Sequence, residues 1–185
     1  MVDVQNDFCE GGSLPVVGGA RVAADIGELL HRWHSRHADG PSYDVVVATK
    51  DHHVDPGAHW SLKPDFAESW PLHCKVGTEG AGFHPNLDPQ PFHEVFFKGE
   101  HAAAYSGFEG STASGEALAD YLRGRGVSEV DVCGIATDHC VRATALDSAR
   151  EGFDTRVLTA FCVGVAEDTT AAAITELSAA GVEIA

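Results

Sequence analysis

Positive charge is scarce in this chain: 12 Lys and Arg stand against 28 Asp and Glu, a formal net charge of −16 over 185 residues. A surface of that sign repels phosphates, which argues against nucleic acids and anionic membranes as partners and leaves small neutral or cationic molecules. No stretch approaches the roughly eighteen apolar residues of a membrane-spanning helix, and no apolar signal segment opens the chain. The five cysteines, Cys9, Cys74, Cys133, Cys140 and Cys162, are odd in number and contain no Cys-x-x-Cys pair. A reduced, cytoplasmic protein with free thiols is therefore expected. Repeats, linkers and low-complexity tracts are missing as well. One domain spanning 1–185 is expected, of a size that buries roughly 70% of its unfolded surface and needs no staples.

Short apolar, β-branched runs alternate with helical patterns. VDV (2–4) reads as a strand end, 20–37 as a helix with Val22, Ile26, Leu29, Leu30 and Trp33 on one face, and 43–50 as a buried strand. Strands follow at 93–99, 129–136, 155–161 and 182–184, and helices at 115–125, 138–151 and 168–180. Continuous apolar strands alternating with helices predict an α/β fold, a mainly parallel sheet covered by helices on both faces. Such sheets bind ligands beyond the carboxyl ends of their strands. Residues 51–91 hold six of the eight prolines and little periodicity; a loop of that length is most often a binding loop.

The strand ends collect Asp3, Lys50 with Asp51, Lys98, and the run ATDHC at 136–140. An aspartate inside a central strand needs a partner, whereas a lysine leaving a strand is ordinarily solvated. Thr137 or Asp138 can cap the helix that begins there. Cys140 then falls in its first turn, where unpaired N–H groups favour a thiolate. The other four cysteines read as inert core thiols.

The stretch ATKDHHVDPGAHW (48–60) crowds three histidines and two aspartates together. Asp51 and His53, two apart in extended chain, point the same way. The Asp55-Pro56-Gly57 turn can swing His59 back toward them. One carboxylate and two imidazoles make a metal face, and spacing leaves His73, His84, His93 and His101 open as a fourth ligand. The competing reading is a set of polar surface residues.

Taken together, VDVQNDFCEGGSL (2–14), ATKDHHVDPGAHW (48–60), WPLHC (70–74), VFFKG (95–99), YSGFEG (105–110) and GIATDHCV (134–141) resemble the nicotinamidase/pyrazinamidases among the isochorismatase-like cysteine hydrolases. The resemblance covers nearly the whole chain and implies a three-layer α/β/α sandwich. It also implies a catalytic triad of Asp3, Lys98 and Cys140, and one divalent metal ion (Fe, Mn or Zn) held by Asp51, His53, His59 and His73. A cis peptide before Ala136 and an oxyanion hole from the N–H groups of Ala136 and Cys140 follow from it too, as do substrate contacts from Phe8, Trp70, Tyr105 and His139. Family members carry several apolar residues ahead of VDVQ, where Met1 and Val2 stand here, so a longer first strand is expected upstream. His101 stands where close relatives show an aromatic residue.

The chemistry implied is hydrolysis of nicotinamide to nicotinate and ammonia through a thioester, with pyrazinamide as an alternative substrate. Cys140 would be the nucleophile, Asp3 the proton carrier and Lys98 the cation beside them. The ion would place the substrate, and thiol activation would not depend on it. Three rival readings remain at this level. One is an amidase of the same superfamily acting on a carbamoyl or ureido group. The others are an iron oxygenase built on Asp51, His53 and His59, and a protein whose metal is purely structural.

Overall fold

The computed structural model describes residues 1–185. Its elements run α1 (Gly19–His34), β1 (Val47–Asp51), β2 (Glu94–Lys98), α2 (Leu118–Gly124), β3 (Glu129–Ile135), α3 (Arg142–Arg150), β4 (Asp154–Val163), α4 (Glu167–Ala179) and β5 (Glu183–Ile184). All strand pairs are parallel: β1 with β2, β3 with β4, and β4 with β5. Val2 bridges Thr49 of β1 on one side and Gly134 of β3 on the other, again in parallel. The spatial order is therefore β2, β1, the Met1–Asp3 strand end, β3, β4, β5. Gly134 has φ 133°, and a Cβ there would lie 2.0 Å from the Val2 carbonyl. Glycine is what lets the N-terminal strand run that close.

Successive residues of β3 feed opposite cores, as strand alternation requires. Cys133 and Ile135 pack with Ile26 and Leu30 of α1. Val132 packs with Ala145 of α3, Leu177 of α4, Val157 and Val2. On β2, Phe96 packs with Leu118 and Leu122 of α2. Burying one such side chain stabilises by about 1.5–3 kcal/mol, so the sheet is clamped from both faces and its carboxyl ends are held as a rigid rim. The molecule is a three-layer α/β/α sandwich on a parallel sheet, as the apolar runs predict.

The boundaries differ from expectation in instructive places. β1 begins at Val47 rather than Tyr43. Val45 and Val47 border a cavity of about 390 Å³ that Val130, Val132, Ile26 and Leu122 also line. α2 starts at Leu118, not Gly115, because Ser111–Ala117 closes into a turn in which Thr112 Oγ1 accepts the Glu116 N–H. The helix expected over 138–151 is two elements, a π-helical turn at Thr137–Val141 and then α3. β4 runs past its expected end to Val163, since Cys162 and Val163 pair with Gly134 and Ile135 beyond a register shift.

Candidate active site

The site grows out of the strand register. Parallel pairing sets Asp51, the last residue of β1, beside Lys98, the last residue of β2, and their side chains form a buried ion pair. Met1 and Val2 run between β1 and β3, and Asp3 turns off the ladder at φ 49°. A non-glycine residue in that left-handed region is uncommon and costs of order 1 kcal/mol or more. The turn aims the Asp3 carboxylate at Lys98, with Nζ 2.9 Å from Oδ2, while Thr49 Oγ1 donates to Oδ1 at 2.6 Å. Beyond β3 the π-helical turn brings Cys140 Sγ to 3.7 Å from the same Nζ. The lysine is completely buried, not solvated, and it also donates to the Ala104 carbonyl at 3.2 Å.

The charges follow from this geometry. Burial works against the Lys98 charge, but Asp3, Asp51 and Cys140 around it hold its pKa well above the ordinary lysine value. Burial would raise Asp51 too, yet Lys98, His53 and His73 hold it well below the carboxylate range. Asp3 goes the other way: burial lifts it above its usual value against the pull of Lys98, which makes it a stronger base. The Cys140 thiol is also pushed well up, first by burial and then by Asp3 and Asp51, with Lys98 opposing. At 3.7 Å and an effective dielectric of about 20, Lys98 favours the thiolate by ~4 kcal/mol. Burial and the two carboxylates act against that pull, and any proton the sulfur holds needs an acceptor before it can attack. The helix-cap expectation is corrected as well. The π-helical turn has no side-chain cap. Asp138 reaches away to α4, where its carboxylate accepts the Val165 N–H at 2.9 Å, the Ala166 N–H at 3.3 Å and the Thr169 hydroxyl.

The 51–91 segment folds back twice, and this gathers its histidines. His53 donates its backbone N–H to the Cys74 carbonyl and accepts from Val76 N, at 3.1 and 2.9 Å. Trp70 N donates to the His59 carbonyl at 2.8 Å. His53, His59 and His73 thereby offer ring nitrogens all within 4.8 Å of one another. Asp51 Oδ2 lies 3.4 Å from His53 Nε2 and 3.7 Å from His73 Nε2. Nδ1 of His53 faces the Gly99 carbonyl and Nδ1 of His73 faces the Pro71 carbonyl. A proton on each Nδ1 leaves both Nε2 lone pairs turned inward. His53 Nε2 and His59 Nδ1 are buried without any partner, and burial beside the other two imidazoles pushes His59 down to about 4. Three imidazoles, one carboxylate and orphaned ring nitrogens fit a divalent cation. His84, His93 and His101 lie outside this group. His101 is an exposed neighbour of Glu100 and does not reach the pocket.

Cys140 and the histidine group open into one pocket of about 60 Å³, with Asp51, His59 and His73 in its wall. Phe8, Trp70, Tyr105, His139 and Ala136 line it too. Trp70 Nε1 donates to the Tyr105 hydroxyl at 3.0 Å, and its ring meets His139 edge-on at 5.2 Å. The Ile135–Ala136 peptide is cis, and the Ala136 N–H donates to no group of the protein. Leu14, Pro15, Val16, Ile135 and Val165 complete the wall. Their part in a pocket was not legible in the sequence, because apolar residues look alike whether they line a pocket or a core.

Comparison with known proteins fits this geometry. A model of the isochorismatase domain family matches residues 1–185. The chain belongs to the isochorismatase family. Within that family it is 55% identical to the nicotinamidase/pyrazinamidase of Mycobacterium tuberculosis over 184 residues, covering all of this chain and 95% of the relative. It superposes on the pyrazinamidase of Pyrococcus horikoshii solved in complex with zinc, with TM-score 0.82, 34% identity and coverage of 100% and 96% of the two chains. A protein from L. infantum solved in complex with nicotinate gives TM-score 0.83 at 31% identity, covering 100% of this chain and 89% of that one.

Three polar side chains of this isochorismatase-family site, Gln5 and Asp138 buried and Asp7 half-buried, were not legible as functional. Gln5 bonds the backbone of Asp51. Asp7 accepts the Cys74 N–H at 2.7 Å and the Ser13 N–H at 3.1 Å, tying the Phe8 loop to the chain next to His73. Asp138 ties the Cys140 turn to the loop that carries Val165. Lys98 contacts Asp51 on one side and Asp3 and Cys140 on the other, so the thiol and the carboxylate beside the histidines share one lysine.

Proposed function

We propose that this protein hydrolyses nicotinamide to nicotinate and ammonia, with pyrazinamide as an alternative substrate, by a cysteine-based mechanism aided by one divalent metal ion. The chain is an amide hydrolase of the nicotinamidase/pyrazinamidase type. The observation that carries the reading is the placement of Lys98, 2.9 Å from Asp3 and 3.7 Å from Cys140, beside a pocket that His59 and His73 also line. An oxygenase built on the histidines would leave that arrangement without a task.

Asp3 takes the thiol proton as Cys140 Sγ attacks the amide carbon and forms the C–S bond. The N–H groups of Ala136 and Cys140 receive the developing oxyanion, and losing one such donor would cost about 3–4 kcal/mol. The C–N bond then breaks, and Asp3 returns the proton to the departing ammonia. Water enters and its oxygen forms a C–O bond to the thioester carbon as Asp3 takes one of its protons; the C–S bond then breaks, the proton goes back to sulfur, and the acid leaves as nicotinate after losing its proton to solvent. Lys98 stays charged throughout and compensates whichever of Asp3 and Cys140 is anionic. A divalent ion held by Asp51, His53, His59 and His73 would supply a Lewis-acidic anchor for the ring nitrogen, directly or through water. Phe8 and Trp70 flank the ring, with Tyr105 and His139 beside them.

A single domain with its metal-holding loop at 51–91 and a cytoplasmic location complete this reading. No helix is long and apolar enough to cross a membrane. The test is ammonia release from both amides by metal-loaded and chelator-treated protein. One ammonia per carboxylate from the loaded sample, lost on chelation, is expected. Folded, loaded protein that releases none from either amide would end the proposal.

A further inference from the structure

The ladder between β1 and the N-terminal strand does not stop where the backbone leaves it. Met1 N donates to the Val47 carbonyl, Thr49 N to the Met1 carbonyl and Asp3 N to the Thr49 carbonyl. Asp51 is next on that edge of β1, but Asp3 has already turned the chain away at φ 49°. The Gln5 side chain takes the vacant step. Its Oε1 accepts the Asp51 N–H at 2.8 Å, and its Nε2 donates to the Asp51 carbonyl at 2.9 Å. The second Nε2 hydrogen goes to the Ala81 carbonyl at 3.1 Å, in the far part of the 51–91 loop. Gln5 is 0% exposed, so each of these bonds is made in the interior, where an unmade one costs the most.

No other side chain makes this set of bonds. A primary amide presents an acceptor and a donor in the pattern of a peptide group, plus one donor to spare. Glutamate lacks the donors, asparagine is one methylene short, and methionine matches the length with no polar bond. On its other edge Asp51 sits in register with Lys98. Its backbone is thus held from both sides, and its carboxylate faces His53 and His73.

We infer that Gln5 is a positioning residue for the metal centre: its carboxamide extends the β1 ladder by one step and fixes Asp51 relative to Asp3 and the histidine loop. This rests on the reading of Asp51, His53, His59 and His73 as one ligand set. Partners that orient a metal ligand typically change metal affinity 10- to 100-fold when removed.

The experiment titrates cobalt(II) chloride into the full chain, against a competing chelator, and follows the visible d–d absorption of the bound ion. Wild type is compared with Gln5→Met and Gln5→Asn, each checked by circular dichroism. Both variants are expected to stay folded, to bind cobalt at least about tenfold more weakly, and to show a changed d–d spectrum. Their loss of amide turnover should shrink as cobalt is raised toward saturation. A role in the fold alone would lower Tm with affinity and spectrum within twofold of wild type, and that result overturns the inference. If Gln5→Met does not fold, Gln5→Asn decides. Failure of both to fold would assign Gln5 to the scaffold and also overturn it, as would wild-type protein that binds no cobalt. Wild type that binds cobalt but releases no ammonia from nicotinamide sinks the proposed activity and leaves the affinity comparison intact.

Discussion

Single residues divide into those whose chemistry shows in the sequence and those whose chemistry is made by distant backbone. Asp3, Lys98 and Cys140 stand at strand ends of an α/β pattern, where such residues meet. Asp138 could be read only as a helix cap, because its partners at Val165, Ala166 and Thr169 lie 27 to 31 residues away. Its true part is to tie the nucleophile's turn to the start of α4. Asp138→Ala would leave the Val165 and Ala166 N–H groups short of an acceptor, while the Thr169 hydroxyl keeps the Ala166 carbonyl, a loss of about 2 kcal/mol, read by urea denaturation. Release of Val165 from the pocket wall should raise KM more than it lowers kcat. The pH sign follows from the depressed Asp138 pKa, where burial is outweighed by Thr169 and the Val165 N–H. A carboxylate lowered on folding contributes stability that is fully present above the unfolded value of about 4 and is lost as pH falls through the folded one. Asp138→Asn should therefore flatten the acid limb of the stability profile. An unchanged acid limb would remove Asp138 from the account.

At the scale of elements, existence and order were legible and edges were not. Strand runs of Val and Ile announced themselves. The start of β1, the turn ahead of α2 and the π-helical turn at Thr137–Val141 each depend on a neighbour that periodicity does not describe. The 51–91 loop was legible as a binding loop, but its two backbone pairings, His53 with Lys75 and Trp60 with Trp70, were not, since neither shows strand patterning. Gly99 shows how tightly that loop is held. It lies just after β2 at φ 75°, and a Cβ there would stand 2.6 Å from His53 Cε1. Gly99→Ala should push the imidazole off its place while the sandwich stays folded. Zinc affinity should fall at least about tenfold with Tm lowered by a few degrees. Equal zinc affinity in the variant and wild type would show that His53 is not part of the ligand set.

The whole molecule is a sandwich that gathers its candidate site on one rim, at the carboxyl ends of its strands. At this scale the negative charge pointed away from nucleic acids and anionic membranes, and the parallel α/β pattern pointed to the strand ends as the place of the site. They could not show that one lysine contacts both the Cys140 thiol and the Asp51 carboxylate.

The central claim is that Cys140 is the atom that attacks the amide. Its most direct test is ammonia release from nicotinamide by metal-loaded wild type beside metal-loaded Cys140→Ala, with fold and metal content matched. The account predicts one ammonia per nicotinate from wild type and a rate at least about a thousandfold lower from the variant. A Cys140→Ala protein that hydrolyses nicotinamide within tenfold of the wild-type rate would contradict it.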